Sequence, residues 1–373
     1  MTQTDKKYTF FITGGGTGGH IYPASAVADS LKDKGHKIFY VGNPDNLEFS
    51  IVSQKGYDFL PVNVHGMPRG AKLALVKWGF ELGIAVLKSV GYIMKYKPDA
   101  VFGTGGYVSA PALLAAKITK TPYMLHDCDA KPGLVTRKLS SGAAAVSLAF
   151  ECAKKEICNK NCLIGGNPIR EAFKTLTKED ARKNLGLQNR TTLCIMGGSQ
   201  GARSINDGAV KILEKLSKDY NLQIIVQTGK KNFSRVIEQL IKIYPEYEAD
   251  KNLIVKPYFA DMVTVLKASD IAISRSGSLS LSELCASGIA SILVPYPHAA
   301  ADHQRKNAKY MQEKGAALYL EDAEVNEKML LELISYLLDN PAELSKIQQN
   351  AISLAKYDSV NLITEELIGF AKS

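Results

Sequence analysis

The sequence predicts an α/β protein in which two parallel sheets, each covered by helices, follow one another along the chain. Three observations carry this prediction. Short apolar runs alternate with helix-like segments throughout, the pattern of strand–helix–strand crossovers. Glycine-rich turns sit where several of those runs stop and helices start. The length, 373 residues, exceeds what one ordinary core holds, so two domains are the natural division.

In the first half, YTFFIT (8–13) is a short apolar strand followed by a glycine loop. The segment ASAVADSLKDKGH reads as a helix with its apolar stripe on Ala26, Val27 and Leu31, ended by Gly35. KIFYVG (37–42), AVFGTGG (100–106) and PYMLHD (122–127) supply further strands. The second half restarts the pattern with TTLCIMGG (191–198), LQIIVQTG (222–229), LIVKPY (253–258), DIAISRSG (270–277) and ASILVPYP (290–297). GGNPIR (165–170), rich in glycine and proline, marks the boundary. The expected domains are residues 1–164 and 165–357, with an amphipathic helix over 358–373 packing back on the first.

Apolar residues make up 46% and charged residues 22%, a globular rather than a disordered composition. The N-terminus lacks a signal-peptide pattern, and no apolar run is long enough to span a bilayer. Six cysteines without a C-x-x-C pair point to a reduced, cytoplasmic setting rather than to zinc. The net charge of +9 is uneven: residues 1–164 hold 20 Lys+Arg against 12 Asp+Glu, residues 165–373 hold 26 against 25. The basic half is expected to meet an anionic partner, unless the excess is only a solvated surface.

GGGTGGH (14–20) opens a helix, and its amides can approach a phosphate or sugar closely. No Lys-Ser/Thr follows, so it is not a P-loop, nor does it match the dinucleotide fingerprint. His20, at the helix start, suits a general base, since a helix N-terminus disfavours its charged form; the other reading is a capping or packing histidine. FGTGGYVSAP (102–111) and MGGSQGAR (196–203) repeat the device, and Ser199 with its flanking amides could bind phosphate oxygens.

In SRSGSLSLSELCASG (274–288) a helix opens near Ser278–Leu279, offering amides to a diphosphate. One turn on, Glu283 could accept both hydroxyls of a ribose, or form a capping box with Ser280. DHQRKNA (302–308) would bring His303 and Gln304 to the same rim. Asp127-Cys128-Asp129 offers too few oxygen ligands for a hard cation, so no metal is expected.

GGTGGHIYP (15–23), GGYVSAP (105–111), GNPIR (166–170), GGSQGAR (197–203), SRSGSLSLSE (274–283) and DHQRKNA (302–308), in this order and over almost the whole chain, resemble the MurG family. These are the peptidoglycan glycosyltransferases that add N-acetylglucosamine to lipid-linked muramyl-pentapeptide. The resemblance implies the GT-B fold, two Rossmann-like domains facing a cleft. It also implies UDP-N-acetylglucosamine as donor, a lipid-linked acceptor, lipid II as product, and an inverting reaction without metal or cofactor. Carried over, Thr17, Gly18 and Gly19 line the donor–acceptor cleft, with Gly105, Gly106 and Tyr107 on the acceptor side. Arg170 and Ser199 approach the diphosphate, and Phe259 lies where the family's backbone reads the uracil. Residues Ser278, Leu279, Ser280, Leu281, Ser282, Glu283 and Leu284 run along phosphates and ribose, and Gln304 contacts the sugar. The family usually has His-Glu-Gln-Asn where this chain has His126-Asp127-Cys128-Asp129. Asp129 can accept from a sugar hydroxyl but cannot donate as an amide does, and could assist the base.

A lipid acceptor must be met at a bilayer. Residues 66–98 mix Leu73, Leu75, Trp78, Phe80, Ile84 and Leu87 with Arg69, Lys72, Lys77, Lys88, Lys95 and Lys97, a combination that favours an anionic membrane interface. The expected place is therefore peripheral, on the cytoplasmic face of the bacterial membrane. Alternatives are a transferase for another lipid acceptor, a UDP-N-acetylglucosamine epimerase-like enzyme, and a non-enzymatic regulator. Nucleic acid is not an expected partner, since no basic stretch is interleaved with stacking aromatics.

Overall fold

The computed structural model describes residues 6–68, 72–198 and 200–372, so Arg69 and Ser199 lie outside the described residues. The chain divides into two units, Met1–Ile169 with Asp358–Ser373, and Arg170–Tyr357.

Among the described residues the first unit holds seven parallel strands. They are β1 (Thr9–Thr13), β2 (Lys37–Gly42), β3 (Asp58–Pro61), β4 (Ala100–Gly103), β5 (Tyr123–Asp127), β6 (Ala145–Leu148) and β7 (Cys162–Leu163). The order is β3-β2-β1-β4-β5-β6-β7, with Phe10 of β1 opposite Ile38 of β2 and Ala100 of β4. Phe10, Phe11 and Ile12 are all buried, so helices must cover both faces of this sheet. The strand order reverses at β1, and the loops leaving β1 and β4 therefore diverge. That is where open α/β sheets form a crevice at the carboxyl ends of their strands.

The second unit repeats this plan with β8 (Thr192–Met196), β9 (Gln223–Gln227), β10 (Leu253–Lys256), β11 (Ile271–Ser274), β12 (Ala290–Leu293) and β13 (Ala317–Tyr319). Their order is β10-β9-β8-β11-β12-β13, all parallel, and here the reversal falls between β8 and β11. Both units are thus Rossmann-like. The glycine-rich segments read in the sequence are the loops at the two reversals.

Several elements differ from the sequence reading. The first helix is Gly18–Asp33; it opens within the glycine loop, two residues before His20, and it accommodates Pro23. Its buried stripe is Ile21, Ala24, Val27, Ala28 and Leu31, while Ala26 lies off it, as a period of 3.6 requires. The unit boundary falls after Ile169 rather than after residue 164. The cause is local: Gly165 and Asn167 are tied into the first unit, through Ser359 Oγ donating to Gly165 O at 2.5 Å and Asn167 Nδ2 donating to Cys128 O at 3.3 Å.

The helix Ser359–Lys372 lies in the first unit. Its Ile363, Leu367 and Ile368 join one apolar cluster with Ala24, Val27 and Leu31. Leu367→Ala removes a fully buried side chain, and should cost about 2–5 kcal/mol of stability. Trp78, the one tryptophan of the chain, belongs to this unit. Urea unfolding followed by its fluorescence should show the loss as a lowered midpoint.

Candidate active site

At the reversal of the first sheet, one threonine joins the two glycine loops. Thr104 follows β4, and its carbonyl accepts from His20 Nδ1 at 2.8 Å. Its hydroxyl donates to the carbonyl of His20 at 2.7 Å, and its own amide donates to Thr13 O at 3.0 Å. Because Nδ1 donates to a carbonyl, the neutral imidazole carries its lone pair on Nε2, the atom a general base needs. Two glycines make this approach possible. A Cβ on Gly14 would stand 2.0 Å from Thr104 Oγ1, and one on Gly106, whose φ is +72°, would stand 3.0 Å from the His20 ring.

Around this pair, Cys128 Sγ lies 3.8 Å from His20 Nδ1 and 3.8 Å from Asp129 Oδ2. Tyr107 packs beside Gly16, and its hydroxyl accepts from Asn46 Nδ2 at 3.2 Å. Thr17 is the N-cap of the first helix and Gly18 and Gly19 begin it, so all three stand on the rim beside His20. The structure thus brings together Thr17, Gly18, Gly19, His20, Gly105, Gly106, Tyr107 and Asp129 at one end of one sheet.

His126 and Asp127 lie beneath. Asn167 Oδ1 accepts from His126 Nε2 at 3.1 Å, so the neutral ring takes the Ser147 hydroxyl on Nδ1 at 3.2 Å. Burial pushes the His126 pKa down to about 4. Asp127 accepts the amides of Asp129 at 3.2 Å and Gly133 at 2.9 Å, and burial pushes its pKa up to about 6. These two residues hold the segment carrying Asp129.

In the second unit, the helix Ser278–Ser287 starts directly after β11 with Gly277 as N-cap. Its first ladder bond is Leu281 N to Gly277 O at 3.0 Å, so the amides of Ser278, Leu279 and Ser280 precede the ladder. Glu283 is therefore too deep in the helix to form a capping box with Ser280. It instead pairs with Arg170 Nη2 at 2.8 Å. Burial raises the Glu283 carboxyl above its ordinary range and the Arg170 guanidinium opposes this. Leu281 and Leu284 are buried and face the core rather than the rim. Ser282 turns its hydroxyl back onto Ser278 O at 3.1 Å.

Phe259, Gln304 and Arg275 are held by specific bonds. Phe259 is buried and its amide donates to Gln227 Oε1 at 2.9 Å. Gln304 receives the Tyr296 amide on Oε1 at 3.0 Å, and its carbonyl accepts from Ser276 Oγ at 2.8 Å. Arg275 clamps the loops by donating to Val294 O at 3.2 Å, Pro295 O at 3.1 Å and Ser204 Oγ at 3.1 Å. Among the described residues no group of three or more His, Cys, Asp or Glu is arranged to hold a metal.

Sequence reading missed Thr104, Glu48, Asn167, Gln227 and Arg275. Thr104, between two glycines, Asn167, in GNPIR, and Arg275, in SRSGS, lie inside motifs of small residues, and that was the available signal. Glu48 and Gln227 meet Gly16 and Phe259 across 32 residues each and carried no such signal.

Two sheet reversals, each ringed by glycine loops and a helix N-terminus, are the framework of a two-domain nucleotide-sugar enzyme, and the family models make it a glycosyltransferase. Residues 10–148 match the glycosyltransferase family 28 N-terminal domain and residues 192–363 its C-terminal domain. A protein of Halothermothrix orenii is 36% identical over 349 residues, 92% of this chain and 94% of its own. One of Thermoanaerobacter sp. is 37% identical over 362 residues, 96% of this chain and 98% of its own. Both are named UDP-N-acetylglucosamine--N-acetylmuramyl-(pentapeptide) pyrophosphoryl-undecaprenol N-acetylglucosamine transferase. The crystal structure of Acinetobacter baumannii MurG superposes with a TM-score of 0.79 at 24% identity, covering 98% of this chain and 100% of that one. The chain belongs to glycosyltransferase family 28, in the branch that those transferases represent, and it has their GT-B fold.

The opposed shifts of His126 and Asp127 have a measurable consequence. His126 is depressed below its unfolded value, so stability is lost as pH falls from about 6.5 towards about 4. Asp127 is raised above its unfolded value, so stability is gained as pH falls through about 6. The two largely cancel in the native protein. Asp127→Asn leaves His126 alone, and between pH 6.5 and 4.5 it should lose about 2 kcal/mol relative to native. Urea denaturation at the two pH values checks this; parallel curves would refute it.

Proposed function

We propose that the protein transfers N-acetylglucosamine from UDP-N-acetylglucosamine to undecaprenyl-diphospho-N-acetylmuramyl-pentapeptide, the reaction for which its relatives are named. The product is lipid II. The observation that carries the chemistry is the bond from His20 Nδ1 to Thr104 O, which leaves Nε2 as the proton acceptor. In this reading the acceptor hydroxyl gives its proton to His20 and attacks the anomeric carbon with inversion, while UDP departs. The amides of Ser278, Leu279 and Ser280, together with Arg170, meet the growing charge on the diphosphate. Glu283 takes the ribose hydroxyls, so donor binding exchanges the Arg170–Glu283 pair for contacts with the nucleotide. Ser199, Phe259 and Gln304 complete the donor site, and Asp129 meets the sugar.

Transfer of labelled sugar to a short-chain lipid acceptor, in EDTA and without added metal, tests the reaction. Formation of a β-linked disaccharide is expected. His20→Ala should lower turnover roughly a hundredfold or more while leaving donor affinity unchanged; near-native turnover in a folded variant would remove His20 from the role of base.

The helix Lys72–Tyr96 supports a peripheral place on the cytoplasmic face of the membrane. Ala85, Ser89 and Ile93 form its buried face. Leu73, Val76, Phe80, Ile84, Leu87 and Met94 recur at spacings of three, four and seven residues on the opposite side and are exposed, Phe80 and Leu87 each at 72%. Lys77, Lys88 and Lys95 flank that stripe. Trp78 does not belong to it: the ring is half-buried and its Nε1 donates to His65 O at 2.9 Å. No helix among the described residues is long and apolar enough to cross a membrane. The apolar stripe with its lysine flank suits the headgroup boundary of an anionic bilayer. Replacing Phe80 and Leu87 together by aspartate should lower partition onto anionic vesicles more than roughly tenfold, by the usual transfer energies. Co-sedimentation at low and high salt measures it, and unchanged binding would exclude this face.

A further inference from the structure

We infer that Glu48 is a positioning residue for the transfer reaction, holding the glycine loop from beneath so that His20 stands where the acceptor hydroxyl arrives; this rests on the reading of His20 as the base. Glu48 is the second residue of the helix Leu47–Gln54 and is fully buried. A carboxylate survives in such an interior only when donors surround it. Here they come from the site itself. Oε2 accepts the amide of Gly16 at 3.1 Å. Oε1 accepts the amide of Asn43 at 3.3 Å and the side-chain amide of Asn46 at 3.3 Å. The same Asn46 amide donates to the hydroxyl of Tyr107 at 3.2 Å. One carboxylate therefore ties together the backbone of the glycine loop, the end of β2 and the tyrosine beside that loop.

The fit is close. A Cβ on Gly15 would stand 2.5 Å from Glu48 Cδ, and one on Gly42 would stand 3.2 Å from its Cγ. Gly16, with φ of +81°, is the last turn residue before Thr17 caps the helix that carries His20. A shift at Gly16 is passed directly into the first turn of that helix. Misplacement of a reacting group by about 1 Å costs on the order of a hundredfold in rate. Glutamine fills the same volume but presents one N–H end to donors, so it loses either Gly16 or the Asn43 and Asn46 amides.

The test uses the full-length enzyme and its Glu48→Gln variant. Turnover per folded molecule, KM for UDP-N-acetylglucosamine and the imidazole proton resonances of the six histidines are measured, with the His20 signal assigned by its loss in His20→Ala. The expected result is a fall in turnover of roughly tenfold to a hundredfold, an unchanged KM for the donor and a displaced His20 resonance. Asn46→Ala, which spares the carboxylate, should move turnover and resonance the same way by less. A residue that served only the fold would lower the melting temperature and leave the His20 resonance in place. Turnover within about twofold of native, or an unmoved resonance, overturns the assignment. If Glu48→Gln does not fold, Asn46→Ala decides by the same two readouts. If the native enzyme fails to transfer to the lipid acceptor, the proposed reaction falls, while the resonance still decides whether Glu48 holds His20.

Discussion

The reciprocal pair of hydrogen bonds between Thr104 and His20 is the constraint on which the first glycine crossing and the proposed role of His20 depend. It exists because β1 and β4 are neighbours in the sheet although far apart in the chain. Their loops leave the same sheet end in opposite senses, and only glycines at the crossing let a threonine carbonyl reach an imidazole. The bond does two things together. It fixes the ring against rotation, and it assigns the proton to Nδ1, so no tautomeric population is lost to the wrong nitrogen. Glu48, buried with donors from Gly16, Asn43 and Asn46, carries the same logic one layer deeper.

The second unit solves a different problem with the same architecture. A departing diphosphate needs positive potential that is in place beforehand. In the proposed reaction the helix after β11 provides it without a capping side chain, since Gly277 leaves the first amides outside the ladder. Arg170 and Glu283 satisfy each other at 2.8 Å. Such a pair keeps a half-buried carboxylate from standing uncompensated. Arg275 ties the loop after β11 to the loop after β12 through the carbonyls of Val294 and Pro295.

Buried polar residues elsewhere in the site serve as structure rather than as reagents. His126 is neutral because burial makes its charged form costly, and Asn167 and Ser147 satisfy both ring nitrogens of that neutral form. Asp127 is spent on two backbone amides. The helix Lys72–Tyr96 shows the opposite arrangement, with a narrow buried face and a broader exposed apolar one. Ordinary core helices keep their apolar stripe inward. A second stripe facing out is what the proposed membrane contact rests on.

Much of this was legible in the residues alone. Alternating apolar runs and glycine turns specify parallel sheets and the places where their loops open, because periodicity and φ > 0 requirements are local properties of the chain. His20, Glu283 and the basic apolar stretch stood out for the same reason: their chemistry is set by residue type and immediate neighbours. Short strands such as Asp58–Pro61, Cys162–Leu163 and Ala317–Tyr319 were not legible, since so few residues carry no periodicity and only pairing stabilises them. The glycine loop was legible as a helix start, although glycines and a proline disfavour helix locally, because it joins a strand to an amphipathic run. What tertiary structure alone decided is who meets whom: Thr104 with His20, Glu48 with Gly16, Arg170 with Glu283, Phe259 with Gln227. Each joins positions tens to more than a hundred residues apart, and a hydrogen bond depends on distance and direction in space, quantities that no spacing along the chain contains.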